Sequence, residues 1–100
     1  MYDMKNLGKM RSLEANAPEA MKAFAEFDRA ALAAGVIPRK CKELLALAVA
    51  FTTQCPYCIE LHTNRARAEG ASEREIAETV LVTAALRAGG AITHGVHAQK

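Results

Sequence analysis

Residues 38–54 read PRKCKELLALAVAFTTQ, and whether they form a strand or a helix decides the fold. β-branched residues are few in the stretch, which argues against a strand. From Leu44 to Phe51 every residue is apolar, so a helix here has no polar stripe and is expected to be buried on every side. Pro38 suits the opening of that helix. Its one acidic residue, Glu43, stands immediately before the apolar run.

Working outward, the same punctuation recurs. Pro18 opens PEAMKAFAEFDRAALAAG and Gly35 follows its end, the usual asymmetry of helix starts and stops. Met21, Phe24, Ala25, Asp28, Ala31 and Leu32 give this segment one mainly apolar stripe. A third segment runs from Cys55-Pro56 to Glu69, with Gly70 as its stop and Glu60, Asn64 and Arg67 on its outer face. A fourth begins at Ser72, where Glu75 completes a capping box. It continues to Gly89-Gly90, after which a short last helix spans Ala91 to about His97. Met1, Met4, Leu7, Met10 and Leu13 fall three apart, as a short helix or an arm on a neighbour would require. No strand, hairpin or repeat signal is legible. The expected fold is all-α, a compact bundle of five to six helices in a single domain over residues 1–100.

Composition narrows the function. Apolar residues make up 51% of the 100-residue chain and charged residues 24%. So small a domain leaves much of its surface in water, and this apolar share points to a partner subunit. A net charge of +2 with scattered basic residues excludes a nucleic-acid footprint. The longest unbroken apolar run, Leu44 to Phe51, falls far short of the roughly 18 residues that span a bilayer. The start, MYDMKNLGKMRS, has no apolar signal core, so a cytoplasmic location is expected. The apolar segments 44–51 and 76–86 read as core or subunit interface, and no cofactor is called for.

The chemistry concentrates in TTQCPYCIELH, Thr52 to His62. Cys55 falls at a helix start, because Pro56 suits the first helical position. Cys58 then lies in the first turn, where free N–H groups and the helix dipole favour thiolate. Cys55 and Cys58 share a face, and His62 follows Cys58 by one turn, close enough to reach its sulfur directly or through one water. Cys58 is therefore the expected nucleophile and Cys55 its resolving partner. A catalytic histidine needs an orienting group. Glu43 is the acidic residue placed for it, partly desolvated at the edge of the buried run and so suited to proton transfer.

The pattern Glu43, eleven residues, Cys55-Pro56-Tyr57-Cys58, three residues, His62 resembles the motif of the alkylhydroperoxidase D-like proteins of the carboxymuconolactone decarboxylase superfamily. The resemblance extends from about Ala17 to His97. It implies an all-helical bundle assembling into homotrimers or homohexamers, and thiol-dependent reduction of a small hydroperoxide. It also implies that Cys58 attacks, Cys55 forms the disulfide, and His62 with Glu43 relays the proton. The implied reductant is an external dithiol, a dihydrolipoyl protein or a peroxiredoxin partner. The founding enzyme has a histidine just before the second cysteine, where this chain has Tyr57, and this chain is shorter at its N-terminus. The decarboxylases typically lack the cysteine pair.

Other readings stand beside this one. A general disulfide oxidoreductase would carry the same pair. Cys55, Cys58 and His62 could hold zinc with His94, His97 or Cys41 as a fourth ligand, although no second metal-type spacing is present. A non-catalytic assembly module would keep the helices and lose the chemistry. Cys41 alone reads as a small buried residue. Glu43 could instead be a surface partner of Arg39, Lys40 or Lys42, and Tyr57 a pocket wall.

Overall fold

A computed structural model describes residues 2–100, so of the expected N-terminal stripe Met1 lies outside the described residues. After a 3-10 turn at Met4–Lys9 come five helices. These are α1 (Met10–Asn16), α2 (Pro18–Leu32), α3 (Arg39–Thr53), α4 (Pro56–Ala68) and α5 (Glu73–Gly95), with a second 3-10 turn at Val96–Ala98. Among the described residues there is no strand, and the all-α bundle is as expected.

The centre is the packing of α3 against α4 and α5. Leu47 and Ala66 are fully buried, Ala50 nearly so, and Glu43 is fully buried among them. Thr83 is the buried residue of α5, its hydroxyl returned to the Thr79 carbonyl at 2.8 Å. Lys42 ties α2 to α3: its Nζ donates to the Ala31 and Ala33 carbonyls at 2.9 and 2.6 Å, satisfying acceptors at the C-terminus of α2. Lys40 pairs with Glu75 at 2.9 Å across α3 and α5. The Ser72–Glu75 capping box forms as read from the sequence.

Two turns set the entry into α4 and the exit from it. Gln54, at φ 56°, caps α3 in the left-handed region and reverses the chain into Cys55 within one residue. Gly70, at φ 91°, lies just past the end of α4, where a side chain would be strained.

Three features differ from the sequence reading. First, α5 does not stop at Gly89-Gly90 but continues to Gly95, absorbing the separate last helix. A glycine within a helix costs only about 1 kcal/mol relative to alanine, and the flanking Ala84–Ala88 and Ala91 are helix formers. The left-handed cap that would end the helix is not adopted there. Second, α3 is not covered all round within one chain: Leu45 and Val49 are 55% and 60% exposed. Third, the apolar character of α5 lies in its average rather than in an unbroken run. By length and composition, Glu73–Ala98 could cross a membrane: its most apolar 18-residue stretch has a mean hydropathy of 1.3, and only 6% of that stretch is buried.

The bundle is open for its length. Its Cα radius of gyration is 16.7 Å, against about 13 Å for a lone domain of this size. Its accessible surface is 7618 Å², about 2,000 Å² above the expectation for a monomer of this mass. The excess is apolar: Phe24, Phe27, Leu81, Val82, Leu86 and Ile92 are all more than half exposed.

Candidate functional site

The buried half of the molecule builds one polar constellation. Pro56 sits at the first position of α4, leaving Cys55 as the cap residue. The Cys55 sulfur accepts the Cys58 backbone N–H at 3.3 Å, and the two sulfurs lie 2.8 Å apart, sharing a hydrogen bond. Both cysteines are half-buried and reduced. A covalent S–S bond needs about 2.05 Å, so closure requires only a small side-chain movement.

Those two hydrogen bonds separate the thiols electrostatically. The Cys58 S–H, then the Cys58 backbone N–H, hold Cys55 below the ordinary thiol range. Cys58 is pushed up to about 11, first because its proton is shared with Cys55, then by burial, the Cys55 charge and the charge of Asp28. Of the two thiols, Cys55 is therefore the more acidic. The helix-start argument expects an acidic thiol in this turn; the cap geometry favours the first cysteine over the second in acidity.

One turn along α4, His62 meets Glu43 from α3. His62 Nδ1 lies 2.7 Å from Glu43 Oε2, and the imidazole side chain is only 13% exposed. The other carboxylate oxygen, Oε1, accepts from Arg39 Nε at 3.3 Å. Glu43 thus holds His62 and also pairs with Arg39, but as a fully buried carboxylate and not as the surface partner of the alternative reading. Its complete burial exceeds the partial desolvation expected. With Nδ1–H donating to the carboxylate, a neutral ring leaves Nε2 as the proton acceptor. Among the described residues no direct hydrogen bond joins His62 to Cys58.

Tyr57, between the two cysteines, is held by residues that no local pattern signals. Its hydroxyl accepts from Asn6 Nδ2 at 3.0 Å, and its ring packs edge-on against Tyr2 at 5.1 Å between centroids. Tyr2 donates in turn to Glu60 at 2.6 Å, which pushes its phenol up to about 12. These partners lie more than fifty positions away in the chain, beyond the reach of spacing arguments.

The remaining candidates lie elsewhere. Cys41 is exposed on the first turn of α3, not buried as read from the sequence. His94 and His97 stack edge-on, 5.8 Å apart, on the exposed end of the chain. Among the described residues no three His, Cys, Asp or Glu side chains gather with metal-ligand geometry. The zinc set of Cys55, Cys58 and His62 with a distant fourth ligand is not brought together.

Comparison with known proteins agrees with the all-α fold. The model of the carboxymuconolactone decarboxylase family matches residues 18–100. An uncharacterised protein of the cox locus of Paracoccus denitrificans is 44% identical over 72 residues, which is 72% of this chain and 65% of the relative. An uncharacterised protein of Cupriavidus necator is 33% identical over 72 residues, covering 72% of this chain and 64% of its own length. The chain thus spans just under two thirds of these curated relatives. The crystal structure of an apo carboxymuconolactone decarboxylase family protein from Legionella pneumophila superposes with a TM-score of 0.75 at 30% identity, covering 80% of this chain and 71% of that one.

Proposed function

Because the chain belongs to the carboxymuconolactone decarboxylase family, we propose that it is a thiol-dependent hydroperoxide reductase of the alkylhydroperoxidase D-like kind, serving antioxidant defence. One observation carries this reading: two sulfurs 2.8 Å apart at a helix start, one turn from a histidine held by a fully buried carboxylate. A lactone decarboxylase has no use for the paired thiols.

The chemistry proceeds in three balanced steps. The Cys58 proton leaves through water to His62, whose imidazolium is stabilised by Glu43. The sulfur attacks the O–O bond of the hydroperoxide, forming a sulfenic acid and releasing an alcohol once the departing oxygen takes up the proton. Cys55 then displaces hydroxide from the sulfenic sulfur, and the hydroxide takes up the proton that Cys55 gives up, so that the products are the disulfide and water. An external dithiol, carried by a dihydrolipoyl protein or a peroxiredoxin partner, restores both thiols by exchange and is itself oxidised to a disulfide.

The resting electrostatics favour a second reading of the order, in which Cys55 attacks and Cys58 resolves. Trapping the sulfenic acid with a dimedone probe after one equivalent of hydroperoxide, followed by peptide mapping, decides between them. Label on Cys58 supports the first order and label on Cys55 the second. The absence of both label and disulfide would refute peroxide reduction and leave a disulfide oxidoreductase or an assembly module.

We further propose a cytoplasmic homotrimer or homohexamer. Its support is the excess of about 2,000 Å² of surface, which matches what a permanent interface removes. A bilayer is the weaker account of α5, since Arg87 lies within the apolar stretch, where a charge is costly. Its guanidinium is already engaged with the Thr52 carbonyl at 2.9 Å.

A further inference from the structure

The α1–α2 hairpin and the α3–α4 body enclose a groove of about 440 Å³ that the proposed chemistry does not use. One wall is apolar, with Met10, Met21, Phe24 and Leu32. The other carries Arg39 and Arg65. Arg39 is the residue that touches Glu43, so the groove abuts the proton-relay pair. Arg65 lies three residues after His62 and seven after Cys58, on one face of α4. The groove therefore adjoins the face of α4 that carries the reacting groups, reaching it through Arg65 and Arg39.

Charge gives the groove a direction. Arg65 is half-buried, and among the described residues no carboxylate lies within ion-pair reach of its guanidinium. A guanidinium partly removed from water without a partner is an anion-binding group. The groove also holds Arg29, Asp28 and Glu14. Three arginines, Arg29, Arg39 and Arg65, face two carboxylates in the lining, and Arg39 is already engaged with Glu43. That leaves Arg65 as the group to which an anion would bind. The separation from Cys58 to Arg65 along the helix axis is about 10 Å.

We propose that this groove binds an acyl chain by its carboxylate, held at Arg65 with the chain on Met10, Met21, Phe24 and Leu32. The substrate class is then a fatty-acid hydroperoxide whose O–O bond lies about 10 Å from its carboxylate. The proposal rests on the peroxidase reading for the word substrate, and on the groove alone for binding.

Calorimetric titration of the reduced full-length protein with decanoate and with decanol tests the binding directly. Decanoate should bind at least about tenfold more tightly than decanol, the worth of one charge-assisted contact. Arg65→Gln should bring decanoate down to the decanol level, and Arg65→Lys should restore part of the difference. In parallel, wild type should prefer linoleic acid hydroperoxide over its methyl ester. Arg65→Gln should lose that preference through KM while tert-butyl hydroperoxide is consumed at the unaltered rate. Equal binding of acid and alcohol, no binding of either (as when a second copy fills the groove), or indifference to Arg65→Gln would overturn the proposal. Arg65-dependent decanoate binding without peroxide consumption would keep the groove and remove the peroxidase reading. Peroxide consumption without acid preference would do the reverse.

Discussion

The molecule divides into two regions of opposite character. Around the α3–α4 contact, Leu47, Ala50, Ala66 and even a carboxylate, Glu43, are removed from water. Along α2 and the second half of α5, Phe27, Leu86 and Ile92 are 71%, 69% and 72% exposed. The first region is complete within one chain, whereas the second is apolar surface without cover. Local burial therefore fixes the geometry of the reacting groups, and the exposed helices are what a second copy of the chain would cover.

Substitutions in the two regions should behave differently. Leu47→Ala, which empties the centre, should cost about 2–5 kcal/mol in denaturant unfolding, independent of protein concentration. A loss below about 1 kcal/mol would mean that the α3–α4 contact is not the stabilising centre. Next in size, Glu43→Gln keeps the volume and removes the charge that stabilises imidazolium. Peroxide consumption should fall about tenfold to a hundredfold in kcat/KM, with a native circular dichroism spectrum. An unchanged rate would reduce Glu43 to a structural partner of Arg39.

A smaller effect concerns the thiols themselves. In a Cys41→Ser background, Cys58→Ala removes the S–H that stabilises the Cys55 thiolate. The apparent pKa of Cys55 should rise, and alkylation by iodoacetamide below the ordinary thiol range should slow. The rise should stop short of a free thiol, because the residue-58 backbone N–H remains. A fall, or no change, would show that the sulfur–sulfur hydrogen bond does not set the resting charge. The smallest effect is expected outside the centre. Leu81→Ser should shift stability by no more than about 0.5 kcal/mol in dilute protein, the norm for a surface site. Its penalty should grow with protein concentration as assembly buries the residue, a trend read by denaturation across a dilution series with light scattering.

Much of this was legible in the sequence because it depends on short spacings. Pro18, Pro38, Pro56 and Ser72 mark helix starts through local backbone chemistry. The i, i+3 and i+4 relations put Cys55, Cys58 and His62 on one helix. Two features were illegible for one reason: they are settled by contacts between distant residues or by a balance of small terms. Asn6 and Tyr2 meet Tyr57 only after folding. Gly89-Gly90 looked like a stop because glycine is a poor helix former, yet alanines on either side carried α5 through. The order of thiol acidity lay between these cases. Spacing located the pair, but which sulfur accepts the Cys58 N–H depends on the cap geometry that Gln54 imposes.

The central claim is that a buried Glu43–His62 pair beside two adjoining sulfurs makes a reactive thiol centre. Stopped-flow oxidation of the reduced protein by a hydroperoxide at neutral pH, with mass mapping of the product, tests it most directly. The account predicts a rate well above that of a small free thiol such as dithiothreitol, and a single disulfide joining Cys55 to Cys58. Oxidation no faster than the free thiol, or confined to the exposed Cys41, would contradict it.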